Sequence, residues 1–205
     1  MATKLYTYAN QTDSGFAPCY DDRAYTLACC KPRLRVKLFN NWDWDNPRSN
    51  DVWVMGYRRM KGGVFPVCVA KIERVIRFDE YYRDGNPFSG REDCIYREVD
   101  SLPRAKCIYG TIQDYYPAYL QLENRHHDES HARTDLYGNC VLYSEQFAHF
   151  AKGTPMPVEL LPFTKNRDYG HYEIPAQLVQ ALYEMLKQGE SVVQPWDYQQ
   201  EAGAI

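Results

Sequence analysis

A thiol, an amine and two guanidinium groups near the start of the chain could together hold a small anion. Cys29, Lys31, Arg33 and Arg35 follow the turn at residues 13–15, which reads Asp-Ser-Gly. On an extended chain the alternating cations would face one side, and guanidinium groups suit bidentate contact with a phosphate or carboxylate. A solvated strand edge protected by cations explains the spacing equally well.

The same segment offers a reactive thiol. Cys29 and Cys30 lie beside Lys31, and a neighbouring cation makes a cysteine more reactive. No histidine partner and no oxyanion element stands near them in the sequence. The sequence also contains no phosphate-binding glycine loop, nucleophile elbow or kinase motif.

Histidines occur in two places where they could do chemistry. In the segment 125–131, His127 and His131 are four residues apart, so on a helix they could share a metal ion. An exposed polar loop is the commoner meaning, because a metal site needs a third ligand and supporting hydrogen bonds, and we predict no metal site. His171 follows Gly170 in a predicted loop, where it could be a general acid or base or a structural histidine.

The composition limits the size of any ligand. The 205 residues suffice for one core, and 44% hydrophobic with 25% charged residues is typical of a globular protein. The net charge is −3, whereas proteins that grip long duplex DNA carry a basic excess. Any contact with nucleic acid should therefore be local, to one base, one nucleotide or one short strand.

The tyrosine content bears on the kind of core, and the cysteine content bears on the cellular compartment. The 18 tyrosines fill a β-rich core or form a stacking surface for bases, and packing is the commoner role. The seven cysteines show no CxxC pair, so we expect neither a disulfide scaffold nor a structural zinc site. With no signal peptide and no membrane-length apolar run, we expect a cytosolic protein.

Local patterns predict an α+β protein. Strands are predicted at residues 5–9, 24–30, 51–57, 64–75 and 140–144, and helices at 145–150 and 175–188. The pair Gly62-Gly63 predicts a hairpin, and Lys31-Pro32 should end the apolar stretch before it. Residues 83–135 show no periodicity. We expect one domain over residues 1–190 and a loosely ordered tail over 191–205.

Six blocks of the sequence, taken in order, resemble the second family of nucleotide-modification-associated domains. They are residues 13–18 (family pattern DSGFAPNP), 26–35 (TLATCKP-x-IR), 51–56 (GDWIVG), 69–82 (a strand ending in FDEYW), 141–150 (VLISxxFYYFG) and 170–171 (GH). The chain departs from the pattern at Asn50 and Ala151, where the family has glycine, and at Cys19-Tyr20, where it has Asn-Pro.

The resemblance implies a role in base or nucleotide modification. The order of strands and glycine hairpin around residues 51–76 also resembles the small barrels of the PUA, ASCH and EVE group, which bind modified bases or RNA. We therefore expect a curved, mainly antiparallel sheet or a small PUA-like β-barrel with a few helices. Fold likeness by itself does not define a function.

The resulting hypothesis is a protein that recognises or processes a nucleotide or a modified DNA base, with no cofactor specified. Asp13, Cys29 and His171 are the candidates for chemistry. The candidates for substrate binding are Ser14, Phe16, Thr26, Lys31, Arg33, Trp53 and Tyr57, with the cations on a phosphate and an aromatic ring on the base. A non-catalytic module, such as a modified-base reader or a nucleotide sponge, and a protein–protein adaptor are the alternatives.

Overall fold

Two β-sheets, one mixed and one antiparallel, frame the structure. The computed structural model describes residues 2–10, 14–21, 23–98, 119–165 and 168–189. Over these residues the sheets do not close into a barrel. The α+β class is confirmed, and the small barrel that we expected is absent from the described part of the chain.

The mixed sheet has five strands. In spatial order they are β10 (Phe147–His149), β5 (Gly63–Lys71), β4 (Val52–Met60), β1 (Thr3–Ala9) and β11 (Tyr169–Ile174). β1 runs parallel to β4, and the other neighbours are antiparallel. β4 and β5 form the predicted hairpin, in which Gly62 has a φ of 106° that suits glycine.

The antiparallel sheet has four short strands. In spatial order they are β2 (Cys19–Tyr20), β3 (Tyr25–Leu27), β9 (Cys140–Ser144) and β6 (Arg74–Arg77). A separate two-stranded ribbon pairs β7 (Tyr96–Glu98) with β8 (Tyr119–Gln121). All of the pairs in these two sheets are antiparallel.

Four α-helices lie in the described residues. They are α1 (Pro32–Asn40), α2 (Phe78–Tyr81), α3 (Ala132–Leu136) and α4 (Ala176–Gln188), and single 3₁₀ turns occur at Pro47–Ser49, Glu129–His131 and Val158–Phe163. The amphipathic helix α4 was predicted, and it buries Leu182 and Met185 in the cluster that also contains Trp53 of β4.

The structure corrects three local predictions. Residues 31–35 are not extended, because Pro32 begins α1 and its fixed φ and missing N–H suit a first helical position. The predicted strand at 64–75 is two strands, β5 and β6, in different sheets. Residues 147–149 form strand β10, where we predicted a turn of helix.

None of the described helices is long and apolar enough to cross a membrane. The predicted loose tail, 191–205, lies outside the described residues.

Candidate functional site

Cys30 lies at the N-terminal end of α1, between β3 and the helix. The next residue, Lys31, has a left-handed backbone with φ 54° and ψ 49°, and Pro32 then begins the helix. The Cys30 side chain is free and half-buried. No acidic residue stands in the first turn, so the positive end of the helix dipole favours a developing negative charge beside this thiol.

A histidine and a carboxylate from two later segments form a tight pair. The Nδ1 atom of His127, in the loop after β8, lies 2.6 Å from Oδ2 of Asp135 on α3. The hydroxyl of Tyr96, on β7, donates to the same oxygen at 2.9 Å. Because Asp135 and Tyr96 are buried, water does not compete with these bonds.

The imidazole of His127 lies near both this carboxylate and the Cys30 thiol. Its Nδ1 atom faces Asp135, and the Cys30 side chain is close enough to raise the pKa of the imidazole. Burial alone would lower the pKa of His127, but the bond to Asp135 and the neighbouring Cys30 raise it to about 9. The imidazole therefore carries a proton at neutral pH, and the three residue types are those that a nucleophile, an acid–base group and an orienting carboxylate require.

Aromatic rings fix the imidazole from several sides. Phe16 stands edge-on to His127, with ring centroids 4.8 Å apart, and stacks on His126 at 4.3 Å. His131 stacks on His127 at 4.5 Å. The rings of His127 and His131 lie face to face, and over the described residues no group of three or more potential ligands could hold a metal ion.

A groove of about 330 Å³ opens beside this cluster. One wall comes from residues 89–95 and the other from 122–126, which ends next to His127. Within it, the Arg125 guanidinium lies 2.6 Å from Oε1 of Glu92, and its Nε donates to Nε2 of His126 at 3.1 Å. Burial lowers the pKa of His126, so at neutral pH its ring is an uncharged acceptor.

Two of the residues predicted for the site belong to a buried polar network. The Thr26 hydroxyl donates to Oδ2 of Asp93 at 2.8 Å, and the Cys29 thiol donates to the Asp93 carbonyl at 3.3 Å. Both side chains are fully buried. Burial, with the carboxylates of Asp135 and Asp93 nearby, raises the pKa of Cys29 well above its usual value.

The two cations predicted to hold a phosphate point to different places. Lys31 donates to the carbonyl of Ala9 at 2.8 Å, and burial lowers its pKa. Arg33 is exposed and lies 3.5 Å from Asp168. A shared phosphate site at these two side chains stays a prediction.

The other predicted residues are spread over the fold. Trp53 and Tyr57, on β4, are fully buried, and Trp53 meets the ring of Tyr183 on α4 at 4.9 Å. His171, on β11, stacks on Tyr6 at 4.5 Å, and burial with nearby lysines lowers its pKa.

The turn at residues 13–15 is described in part. Ser14 is exposed, and Gly15 has a φ of 76°. Asp13 lies outside the described residues.

Sequence reasoning named Cys29 and not its neighbour Cys30, and it did not connect His127 with Asp135. One signal was present, because the family pattern TLATCKP-x-IR places its cysteine at Cys30 and its arginine at Arg35 and leaves position 33 open. The sequence of segment 125–131 is typical of an exposed polar loop. Asp135 lies beyond this segment, on a separate short helix, so no local pattern connects it with His127.

Comparison with curated proteins gives no match, and comparison with solved structures gives none either. Comparison with protein families matches residues 2–202 to nucleotide modification associated domain 2. This match covers nearly the whole chain, including Cys30, His127 and Asp135. The chain therefore belongs to the nucleotide modification associated domain 2 family.

Proposed function

We propose that this protein is a cysteine-dependent enzyme that removes or transfers an acyl group carried by a nucleotide or a modified base. The arrangement of Cys30, His127 and Asp135 carries the proposal, since a thiol beside an imidazole that a buried carboxylate orients is the machinery of acyl transfer. We propose a nucleotide or modified base as the carrier of the acyl group because the family is associated with nucleotide modification.

The reaction has two balanced steps. In the first, the Cys30 sulfur attacks as a thiolate, with its proton on His127, and forms a carbon–sulfur bond with the carbonyl carbon of an amide or ester. The carbon–nitrogen or carbon–oxygen bond then breaks, and His127 gives its proton to the leaving group. In the second, water gives one proton to His127 and attacks the thioester, which releases a carboxylic acid and restores the Cys30 thiolate beside protonated His127.

The groove beside His126 is the proposed substrate-binding surface. Its volume of about 330 Å³ falls in the usual range for small-molecule sites. The Glu92 carboxylate can accept from the N–H groups of a base, and the exposed Arg125 guanidinium can contact a phosphate. Phe16 is buried against the two histidines, so in this proposal it supports the imidazole rather than stacking on the base.

The proposed substrate is small. A net charge of −3 does not favour binding along duplex DNA, so we propose a free nucleotide, or one base of a single strand or of a locally opened duplex. A nucleophilic thiol must stay reduced, which agrees with the proposed cytosolic location.

Acylated nucleotides test the proposal directly. The protein would be incubated with N4-acetyl-2′-deoxycytidine monophosphate and N6-acetyl-2′-deoxyadenosine monophosphate, and with p-nitrophenyl acetate as a probe that needs no base recognition. We expect a burst of nitrophenol, an acetyl group on Cys30 after acid quenching, and release of free nucleotide. Cys30→Ala should abolish all three, and Asp135→Asn should slow release by about 10²-fold or more.

Cys29→Ala is the matched control, because its thiol is adjacent in sequence but buried; it should keep the burst. Equal turnover by Cys30→Ala would overturn the proposal. If the acylated nucleotides raise the melting temperature but are recovered intact, and no burst occurs, the protein is a binding module instead.

A further inference from the structure

Arg35 is a buried cation whose hydrogen bonds all go to main-chain carbonyl groups. Its side chain is fully buried, and no carboxylate in the described part of the chain lies within ion-pair distance of it. Its guanidinium donates to four carbonyl oxygens: Cys30 at 2.9 Å, Cys29 at 3.2 Å, Asp135 at 2.6 Å and Cys140 at 2.6 Å. A buried charge needs hydrogen bonds of this kind, because its desolvation is costly.

These four bonds join the two halves of the proposed site. Two go to the peptide groups on either side of Cys30, and one goes to the main chain of Asp135, whose carboxylate holds His127. The fourth anchors the group to β9 through Cys140. A planar guanidinium has fixed donor directions, so it sets the distance between the segment that carries the thiol and the helix that carries the carboxylate.

Neighbouring groups leave the Arg35 guanidinium little room to take another position. Phe78 lies under it, with 5.6 Å between the guanidinium carbon and the ring centroid. A Cβ atom at Gly138 would lie 2.1 Å from that carbon, which is far inside contact distance. A side chain at position 138 would therefore displace the guanidinium.

We propose that Arg35 is the positioning residue of the site, holding the main chain at Cys30 and at Asp135 at the separation that keeps His127, which binds Asp135, close to the Cys30 thiol. This inference rests on the proposed function, which gives the positioning its purpose. The contacts that support the inference do not depend on the identity of the substrate. It assigns Arg35 a role through His127 and Cys30, not contact with the reacting atoms.

The test uses two readouts that do not depend on turnover. They are the titration midpoint of His127, followed by NMR, and the rate at which iodoacetamide modifies Cys30 at pH 7. In Arg35→Met we expect the midpoint to fall from about 9 towards 6.5 and the Cys30 rate to fall on the order of 10-fold. Arg35→Lys, which keeps the charge and some donors, should recover part of both.

A folded Arg35→Met protein with unchanged midpoint and unchanged Cys30 rate would overturn the inference. If neither variant folds, the inference is tested on the wild-type protein by measuring how fast the arginine Nε–H protons exchange with water. The Nε–H of Arg35 should be strongly protected compared with that of exposed Arg33, and equal exchange rates would overturn the inference. Failure of the acyl-transfer assay would leave these readouts unaffected, so the two proposals fail separately.

Discussion

The Nδ1 atom of His127 lies 2.6 Å from Oδ2 of Asp135, and the hydroxyl of Tyr96 shares that same oxygen. The two donors arrive from different elements, the loop after β8 and strand β7. The carboxylate therefore fixes the orientation of the imidazole, with Nδ1 towards Asp135. This relationship makes the stability of the fold depend on the titration of His127.

The first prediction concerns pH. Because the pKa of His127 rises from 6.5 to about 9 on folding, its contribution to stability is fully present below pH 6.5 and is lost as the pH rises through 9. The loss should be on the order of 1 to 3 kcal/mol, measured by urea unfolding at pH 6.5 and 9.5. His127→Gln should remove most of the difference in the free energy of unfolding between the two pH values. A His127→Gln protein with the wild-type pH dependence of stability would contradict the prediction.

The second prediction separates the adjacent thiols. Iodoacetamide at pH 7 should modify Cys30 well before Cys29, because Cys30 is half-buried beside a protonated imidazole and Cys29 is fully buried. Peptide mass spectrometry after short exposure locates the label. Cys29→Ala should label at the wild-type rate, and His127→Gln should label more slowly. Preferential labelling of Cys29 would refute the assignment of the nucleophile.

The third prediction concerns the buried network under β3. Asp93 is fully buried and accepts from Thr26 and from Tyr81, while Arg91 lies 3.9 Å away and also binds Asp21. Replacing the cation in Arg91→Met should cost about 3 to 5 kcal/mol, because it leaves a buried carboxylate without its partner.

Urea unfolding measures that cost. The matched control is Arg74→Met, since the ion pair between Arg74 and Glu80 is exposed at both ends and should contribute about 1 kcal/mol or less. Equal losses in the two variants would show that the Arg91 network is no more important than a surface pair.

The fourth prediction concerns the anchoring of α4. Leu182 is fully buried in the cluster with Trp53 and Leu5, so Leu182→Ala should lower the free energy of unfolding by about 2 to 5 kcal/mol. Gln180→Ala, on the exposed side of the same helix, should change it by about 0.5 kcal/mol or less. A small loss for Leu182→Ala would mean that the helix is held mainly by other residues.

Elements with a local signal could be predicted from the sequence. The hairpin at Gly62-Gly63 needs glycine at positive φ, and α4 shows helical spacing of apolar residues with a proline before it. Sequence reasoning does not predict α1, because Lys31-Pro32 indicates the end of the apolar stretch before it. Proline at a first helical position also begins helices, and Pro32 does so here. Strand β10 was missed because three residues carry too little periodicity.

The site depends on long-range contacts that no local pattern contains. Cys30, Tyr96, His127 and Asp135 come from four separate segments, and the bonds between them form only after β3, β9 and the ribbon of β7 and β8 are in place. Cys29 and Cys30 illustrate the same limit. Adjacent residues share a sequence environment, but the Cys29 side chain is fully buried in the core and the Cys30 side chain is only half-buried.

The ribbon of β7 and β8 has a consequence for how the Asp135 carboxylate is held. Tyr96 pairs with Gln121 and Glu98 with Tyr119, so residues 98 and 119 are neighbours in the fold. The hydroxyl of Tyr96 that binds Asp135 is therefore held in place by the pairing with β8, and weakening that pairing would loosen a carboxylate in another part of the fold.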